Sequence, residues 1–244
     1  MVLRQVADLR LMSGSQIATL HSPDADHESS SAAQRAARRT LQALSDERLL
    51  IRLHRRVGGV RGGSNSFIYA IGPVGQRLIE SEGPRKRFRE PSTTFAEHTL
   101  AVADHVVGLA QSAGEGRFEL VSTETEPRSW RDFTTTAGRG SLRPDLFVIL
   151  GVGDYEYRWF IEVDLGTEHL PALLRKCRVY QAYFQTGLEQ GRHGVFPRVC
   201  WSMNDPTRVE RLRKAVVRDP DLSNELFTCV HRSDLVATLS KGLP

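Results

Sequence analysis

The sequence predicts an α+β chain of two domains: a three-helix unit carrying a β-hairpin, then an α/β layer of strands and helices. Three observations carry that expectation. Apolar residues recur at helical spacing across much of residues 2–47, two alternating stretches flank a glycine-rich turn at residues 58–63, and four strand-length apolar runs follow a charged, proline-bounded segment near residues 82–92. At 244 residues the chain is long enough to bury a core in each part.

Residues 2–11 place Leu3, Val6 and Leu9 on one helical face, with Met12 adjoining. Ser13 or Ser15 can cap a second short helix over residues 16–21. A loop-like "SPDADHESSS" precedes a third helix over residues 32–47, rich in the strong helix formers alanine, leucine and arginine. Leu49, Ile51 and Leu53 then alternate with Arg52 and His54, the period of a half-buried strand, and Phe67, Tyr69 and Ile71 alternate again beyond the glycines. Gly72 and Pro73 stop that strand before a further helix, "VGQRLIES". Three helices and a two-stranded wing is the order of an N-terminal winged helix-turn-helix domain, expected over residues 1–83, with a linker at 84–92 and a second domain over 93–244.

Charge is unevenly placed. Residues 1–90 hold 15 Lys and Arg against 9 Asp and Glu, a net of +6, whereas residues 91–244 hold 18 against 20, a net of −2. A basic first third suits a polyanionic partner. Arg35, Arg38 and Arg39 fall on the side of the third helix opposite Leu41 and Leu44, so the arginines can meet double-stranded DNA while the leucines pack inward. Arg55, Arg56 and Arg61 lie in or beside the hairpin turn, whose glycines let backbone approach phosphate closely. The competing reading is a winged helix that docks on protein and keeps these arginines as a solvated face. Winged helices that read palindromic sites are often dimeric, so a homodimer is a further expectation.

In the second part, a helix over residues 94–113 carries an apolar stripe beside Glu97, His98, Asp104 and His105. Strands are expected at residues 117–122, 142–150, 157–165 and 198–203, with a long helix over 168–186 before the last. That is the order of a restriction-endonuclease-like α/β sandwich. Two of its stretches, "RPDLFVIL" and "FIEVDLGT", carry the chemistry. Strand side chains alternate, so Glu162 and Asp164 share one face while Ile161, Val163 and Leu165 share the other. Pairing of these strands about the turn at 151–154 brings Asp145 near Glu162. Converging carboxylates are costly to keep ionised without a cation. Oxygen ligands favour Mg²⁺ or Mn²⁺, which would activate water against a phosphodiester. The plainer reading is a strand with acidic residues on a solvent face.

The hairpin stretch "LIRLHRRVGGVRGGSNSFIYAIGPVGQRLI", together with "EHTLAVADHV", "RPDLFVIL", "FIEVDLGTEHL" and "LLRKCRVYQAYF", resembles the replication-relaxation family over about residues 3–185. The resemblance implies a protein of a plasmid, phage or integrated conjugative element of Gram-positive bacteria, and implies a relaxase or replication protein as a partner. It also implies that the second half is related to the PD-(D/E)xK nucleases. Carried over residue by residue, Asp145 matches the first acid of that motif, Glu162 the second, and Glu97 the additional acid of some members. Asp164 stands where the motif has its lysine. Some relatives recruit the base from the next helix, which here offers Lys176, on the same flank as His169, Tyr180 and Tyr183. Arg175 and Arg178 lie elsewhere on that wheel and are better placed to bind a phosphate. Two outcomes stay open: a DNA-binding protein with a non-catalytic nuclease-like domain, or a Mg²⁺-dependent endonuclease using Asp145 and Glu162 with Asp164 or Lys176 beside them.

Other chemistry is thin. Cys177, Cys200 and Cys229 lack disulfide or metal spacing, as expected in a reducing cytoplasm. Apolar runs of about eight residues fall short of the ~20 that cross a bilayer, so no membrane partner is expected. "GGVRGG" lies between strands rather than before a helix, unlike a phosphate-cradling P-loop. His98 and His105 share a helical face but sit roughly 10 Å apart along its axis, too far for one ion.

Overall fold

The computed structural model describes residues 1–21, 30–56, 67–79, 88–136 and 138–241, with backbone alone at residues 30, 31 and 54–56. It is α+β and divides into two compact units, Met1–Gln111 and Ser112–Pro244. The division falls inside the last turn of a long helix, described below.

The first unit opens with α1 (Val2–Leu9), β1 (Leu11–Ser13) and α2 (Gly14–His21). Helical spacing alone carries the first helix to residue 11, but the chain turns at Arg10, where φ is +63°. That turn lets Leu11 and Met12 enter a sheet instead. Ser13 then closes a reciprocal cap: its Oγ accepts from Gln16 N at 3.2 Å and its N–H donates to Gln16 Oε1 at 2.7 Å. Next come α3 (Ser30–Asp46), β2 (Leu50–Arg56), β3 (Phe67–Ile71), α4 (Pro73–Ile79) and α5 (Thr93–Gly114). The three strands form an antiparallel sheet in the order β1-β3-β2. Leu11, Leu53, Ile68 and Ala70 from that sheet bury against Ala96 and Leu100 of α5. The Gln16 amide fixes α2 to the same helix, donating to Leu100 O at 2.9 Å and Asp104 Oδ1 at 2.7 Å.

The second unit is built on β4 (Glu119–Thr125), β7 (Leu146–Val152), β8 (Tyr155–Asp164), β9 (Arg198–Met203) and β10 (Phe227–His231), with a separate hairpin of β5 (Arg131–Thr135) and β6 (Gly138–Leu142). The five-stranded sheet runs β10-β9-β8-β7-β4. Strands β4, β7 and β8 pair antiparallel, whereas β8, β9 and β10 pair in parallel. Parallel neighbours need crossover connections. Helices α6 (Leu170–Gln185) and α7 (Leu188–His193) supply the first, and α8 (Pro206–Arg218) the second, before α9 (Leu235–Ser240) ends the described chain. One sheet face, through Phe147, Phe160, Val199, Trp201 and Met203, packs on Leu173, Cys177 and Tyr180 of α6 and Val209 and Leu212 of α8. Expectation and structure differ at residues 142–150. The apolar run reads as a single strand, but Pro144 has no N–H to give a ladder and splits it into the end of β6 and the start of β7. The three cysteines are buried and unbonded.

Two glycines in the first unit sit where no side chain fits. A Cβ at Gly72 would lie 2.2 Å from the Arg48 carbonyl oxygen, and one at Gly75 would lie 2.3 Å from that of Leu49. Both allow the start of α4 to close on the 48–49 turn, where Gly72 N–H donates to Leu49 O at 2.8 Å. Alanine in a helix ordinarily improves on glycine by about 1 kcal/mol. Here the close backbone reverses that sign: Gly75→Ala is expected to lower stability by about 1–3 kcal/mol, read as a reduced urea midpoint. A midpoint equal to or above the parent's would show that the 48–49 turn yields.

Candidate functional site

The site is assembled from β7, β8 and α6. Alternation along β8 turns Phe160, Glu162 and Asp164 toward the helices, while Ile161 and Val163 take the opposite face. The antiparallel register sets Leu146 against Ile161, so Asp145, one residue before β7, stands beside Glu162. Its Oδ2 accepts the Val163 N–H at 2.7 Å, which fixes the carboxylate against β8. Lys176 and Tyr180, one helical turn apart on α6, both reach down to Glu162. Lys176 Nζ pairs with Oε2, and the Tyr180 hydroxyl donates to Oε1. Glu162 is 1% exposed and Tyr180 0%, so the carboxyl and the phenol are sealed in the core, while Lys176 is half-buried and reaches them from the rim.

Burial dominates the electrostatics. It pushes the Glu162 carboxyl up to about 8; the Lys176 ammonium offsets part of this and the Asp145 charge adds to it. For Lys176, burial alone would favour the neutral amine, but Glu162 and Asp145 outweigh it and hold the pKa above the ordinary lysine value. The ion pair therefore keeps the lysine charged without fully compensating the burial of its partner. Burial and the Glu162 charge together raise the Tyr180 phenol, which stays a hydrogen-bond donor across the physiological range.

Asp164 shares the sheet face with Glu162 but not its partners. Arg208 of α8 forks onto it, with Nε on Oδ2 and Nη2 on Oδ1 at 3.0 Å, and also reaches the Glu168 carbonyl. Gly166 N–H adds a bond to Oδ1 at 3.0 Å. Arg208 is placed by the start of α8, where Asp205 caps Thr207 N–H at 2.8 Å ahead of the helix.

Glu97 is exposed on α5, in the first unit. Arg35, Arg38 and Arg39 are exposed along α3, whose other side buries Ala33, Ala37 and Leu41 and half-buries Leu44. The side chains of Arg55 and Arg56, and the whole of Arg61, lie outside the described residues. Tyr183 donates to Glu189 at 2.6 Å rather than to Glu162, and Arg178 pairs with Asp219 at 2.8 Å. Arg175 and His169 are exposed; His105 is buried in α5 and His98 half-buried. Among the described residues no three His, Cys, Asp or Glu side chains gather as for a metal ion. Sequence reasoning missed Arg208, which lies 44 residues from Asp164 and carries no motif.

The family profile described as replication-relaxation matches residues 3–199. The chain belongs to the replication-relaxation family. Neither curated proteins nor solved structures yield a match to it. In this replication-relaxation protein the matched span covers α1 to the start of β9, so Asp145, Glu162, Lys176 and Tyr180 fall within it and Arg208 beyond it.

The raised Glu162 carboxyl has a consequence for stability. A carboxyl whose folded pKa is raised contributes stability that is present below its unfolded value near 4.5 and is lost as pH rises through about 8. Glu162→Gln removes that titration and leaves Lys176 buried without its counter-charge, a position that also favours higher pH. The Tm of Glu162→Gln relative to the parent is therefore expected to rise between about pH 5 and pH 8, the span from the unfolded value near 4.5 to the folded value of about 8. A difference that is flat or falls across that window would contradict a protonatable Glu162.

Proposed function

We propose that this replication-relaxation protein binds double-stranded DNA of a plasmid, phage or integrative element through its first unit, and acts in mobilisation, replication or transcription control. The observation that carries the reading is α3: three exposed arginines on one side, and a buried Ala33, Ala37, Leu41 stripe on the other. A helix anchored by its apolar face and charged on its exposed face suits insertion into a major groove, and the β2–β3 hairpin follows it in the order of a winged helix. The +6 net charge of residues 1–90 supports the same partner. Membership of the family supports a role in replication or mobilisation of an element. On this reading a relaxase or replication protein would be the partner protein and the cytoplasm the place of action. A homodimer would suit a palindromic site.

Arg38→Ala/Arg39→Ala is expected to weaken a gel shift with element DNA about tenfold and to lower the steepness of its salt dependence by about 0.9 for each phosphate the helix no longer neutralises. Unchanged affinity and slope would remove α3 from the interface.

One observation favours a second reading. Lys176 meets Glu162 beside Asp145, so α6 supplies the lysine that Asp164 replaces in the strand motif. Two carboxylates and a lysine in one place are the parts of a PD-(D/E)xK-like centre, and hard oxygen donors suit Mg²⁺ or Mn²⁺. Asp145 and Glu162 would hold such an ion, which supplies activated water and charge stabilisation at a phosphodiester. Lys176 would place positive charge at the phosphate. Under this reading the parent nicks supercoiled DNA in Mg²⁺ or Mn²⁺ and Asp145→Ala/Glu162→Ala does not. Intact plasmid with both proteins leaves the binding reading alone.

A further inference from the structure

An exposed cation close to Asp145 in the chain enters neither functional reading. Arg143 is exposed, two residues before Asp145, and its guanidinium lies over the Trp130 ring with Cζ 4.6 Å from the centroid. Stacking consumes the flat face of a guanidinium and none of its five N–H donors, which point outward in the plane. Among the described residues Arg143 has no carboxylate and no hydrogen-bond acceptor. The stack is rigidly seated. Trp130 Nε1 donates to Glu126 at 3.3 Å, and the neighbouring Ser129, fully buried, donates its hydroxyl to the Pro144 carbonyl at 2.6 Å. The residue before the platform is thus tied to Pro144, the residue before Asp145.

Charge indicates what such a group would hold. Asp145 and Glu162 carry two negative charges when ionised, and Lys176 returns one. With the Glu162 carboxyl raised to about 8, Lys176 balances Asp145 at neutral pH, so an approaching phosphodiester draws its net attraction from a further cation. A preorganised, unpaired guanidinium is suited to planar recognition of phosphate oxygens.

We propose that Arg143, stacked on Trp130, grips a backbone phosphate of a DNA strand at the carboxylate cluster, giving the second unit its own nucleic-acid contact. The proposal rests on DNA as the partner but not on α3 as its reader. The test uses the full-length protein and measures fluorescence anisotropy with a labelled duplex and with its single strand, in the parent and in Arg38→Ala/Arg39→Ala. Arg143→Ala is expected to weaken binding about five- to tenfold in both backgrounds and to lower the salt slope by about 1. Arg143→Lys, which keeps the charge but loses the stack and the fork, recovers only part. A larger loss on the single strand would mark the subsite as one for unpaired DNA. Equal affinity and slope for Arg143→Ala and parent overturns the proposal, even where the α3 variant binds less. If instead the α3 variant binds as the parent does while Arg143→Ala loses binding, the proposal stands and the α3 reading falls.

Discussion

A carboxylate sealed inside an apolar layer organises the second unit. Removing an ionised carboxylate from water costs several kcal/mol unless charge and hydrogen bonds replace the solvent. Glu162 meets that requirement only in part, from a single helix, with Tyr180 on one oxygen and Lys176 on the other, and its carboxyl stays raised to about 8. Both donors must come from one flank of α6, so the rotation of that helix on the sheet is set by this residue as much as by Leu173 and Cys177 beneath it. The Asp145 carboxylate, bonded to Val163 N–H, then secures the start of β7 to the same point of β8. A buried ion pair is a poor device for stability alone, since apolar residues of equal volume often do as well. Its place at the meeting of β7, β8 and α6 ties those three elements together at one point.

Asp164 shows the opposite arrangement two residues away. Its charge is answered by Arg208, Gly166 and nothing from α6, so it binds the end of β8 to α8 and to the 166–168 loop. The position that would carry a lysine in the strand motif is a clamp between strand and helix. Because Asp164 brings its own counter-charge, it adds no uncompensated negative charge beside Glu162. Asp164 and Glu162 thus have distinct basic partners, Arg208 on α8 and Lys176 on α6.

Much of this architecture is legible in the sequence. The helix over α3, the β8 alternation and the limits of β9 follow from period and length, which long regular elements impose on sequence. The pairing of Asp145 with Glu162 is legible as well, because a short turn between two apolar runs leaves antiparallel pairing as the simple outcome. The three-residue β1 is not, since three residues carry no period, and its existence depends on a single positive φ at Arg10. The β5–β6 hairpin is hidden because its second strand runs into β7 in one apolar stretch, and only the missing N–H of Pro144 marks the break. Lys176 can be nominated from a helical wheel that puts it with Tyr180, yet Tyr183 on the same flank turns to Glu189 instead. Arg208 lies beyond reach: long-range ion pairs leave no local pattern.

The contrast in charge between the two parts bears on how they would share one DNA. On α3 the arginines stand on a segment with net positive charge, where long-range attraction to a polyanion is strong and falls steeply with salt. At the carboxylate cluster Asp145, the raised Glu162 and Lys176 nearly cancel, so the proposed Arg143 contact would add local grip with little long-range pull. A contact of that kind is weak for DNA arriving from solution. On one chain with the proposed reader it would become an intramolecular step, governed by an effective concentration instead of by bulk affinity. Selectivity for where the second unit acts would then come from the first unit's site, which leaves the cluster free to read no sequence at all and only the phosphate presented to it.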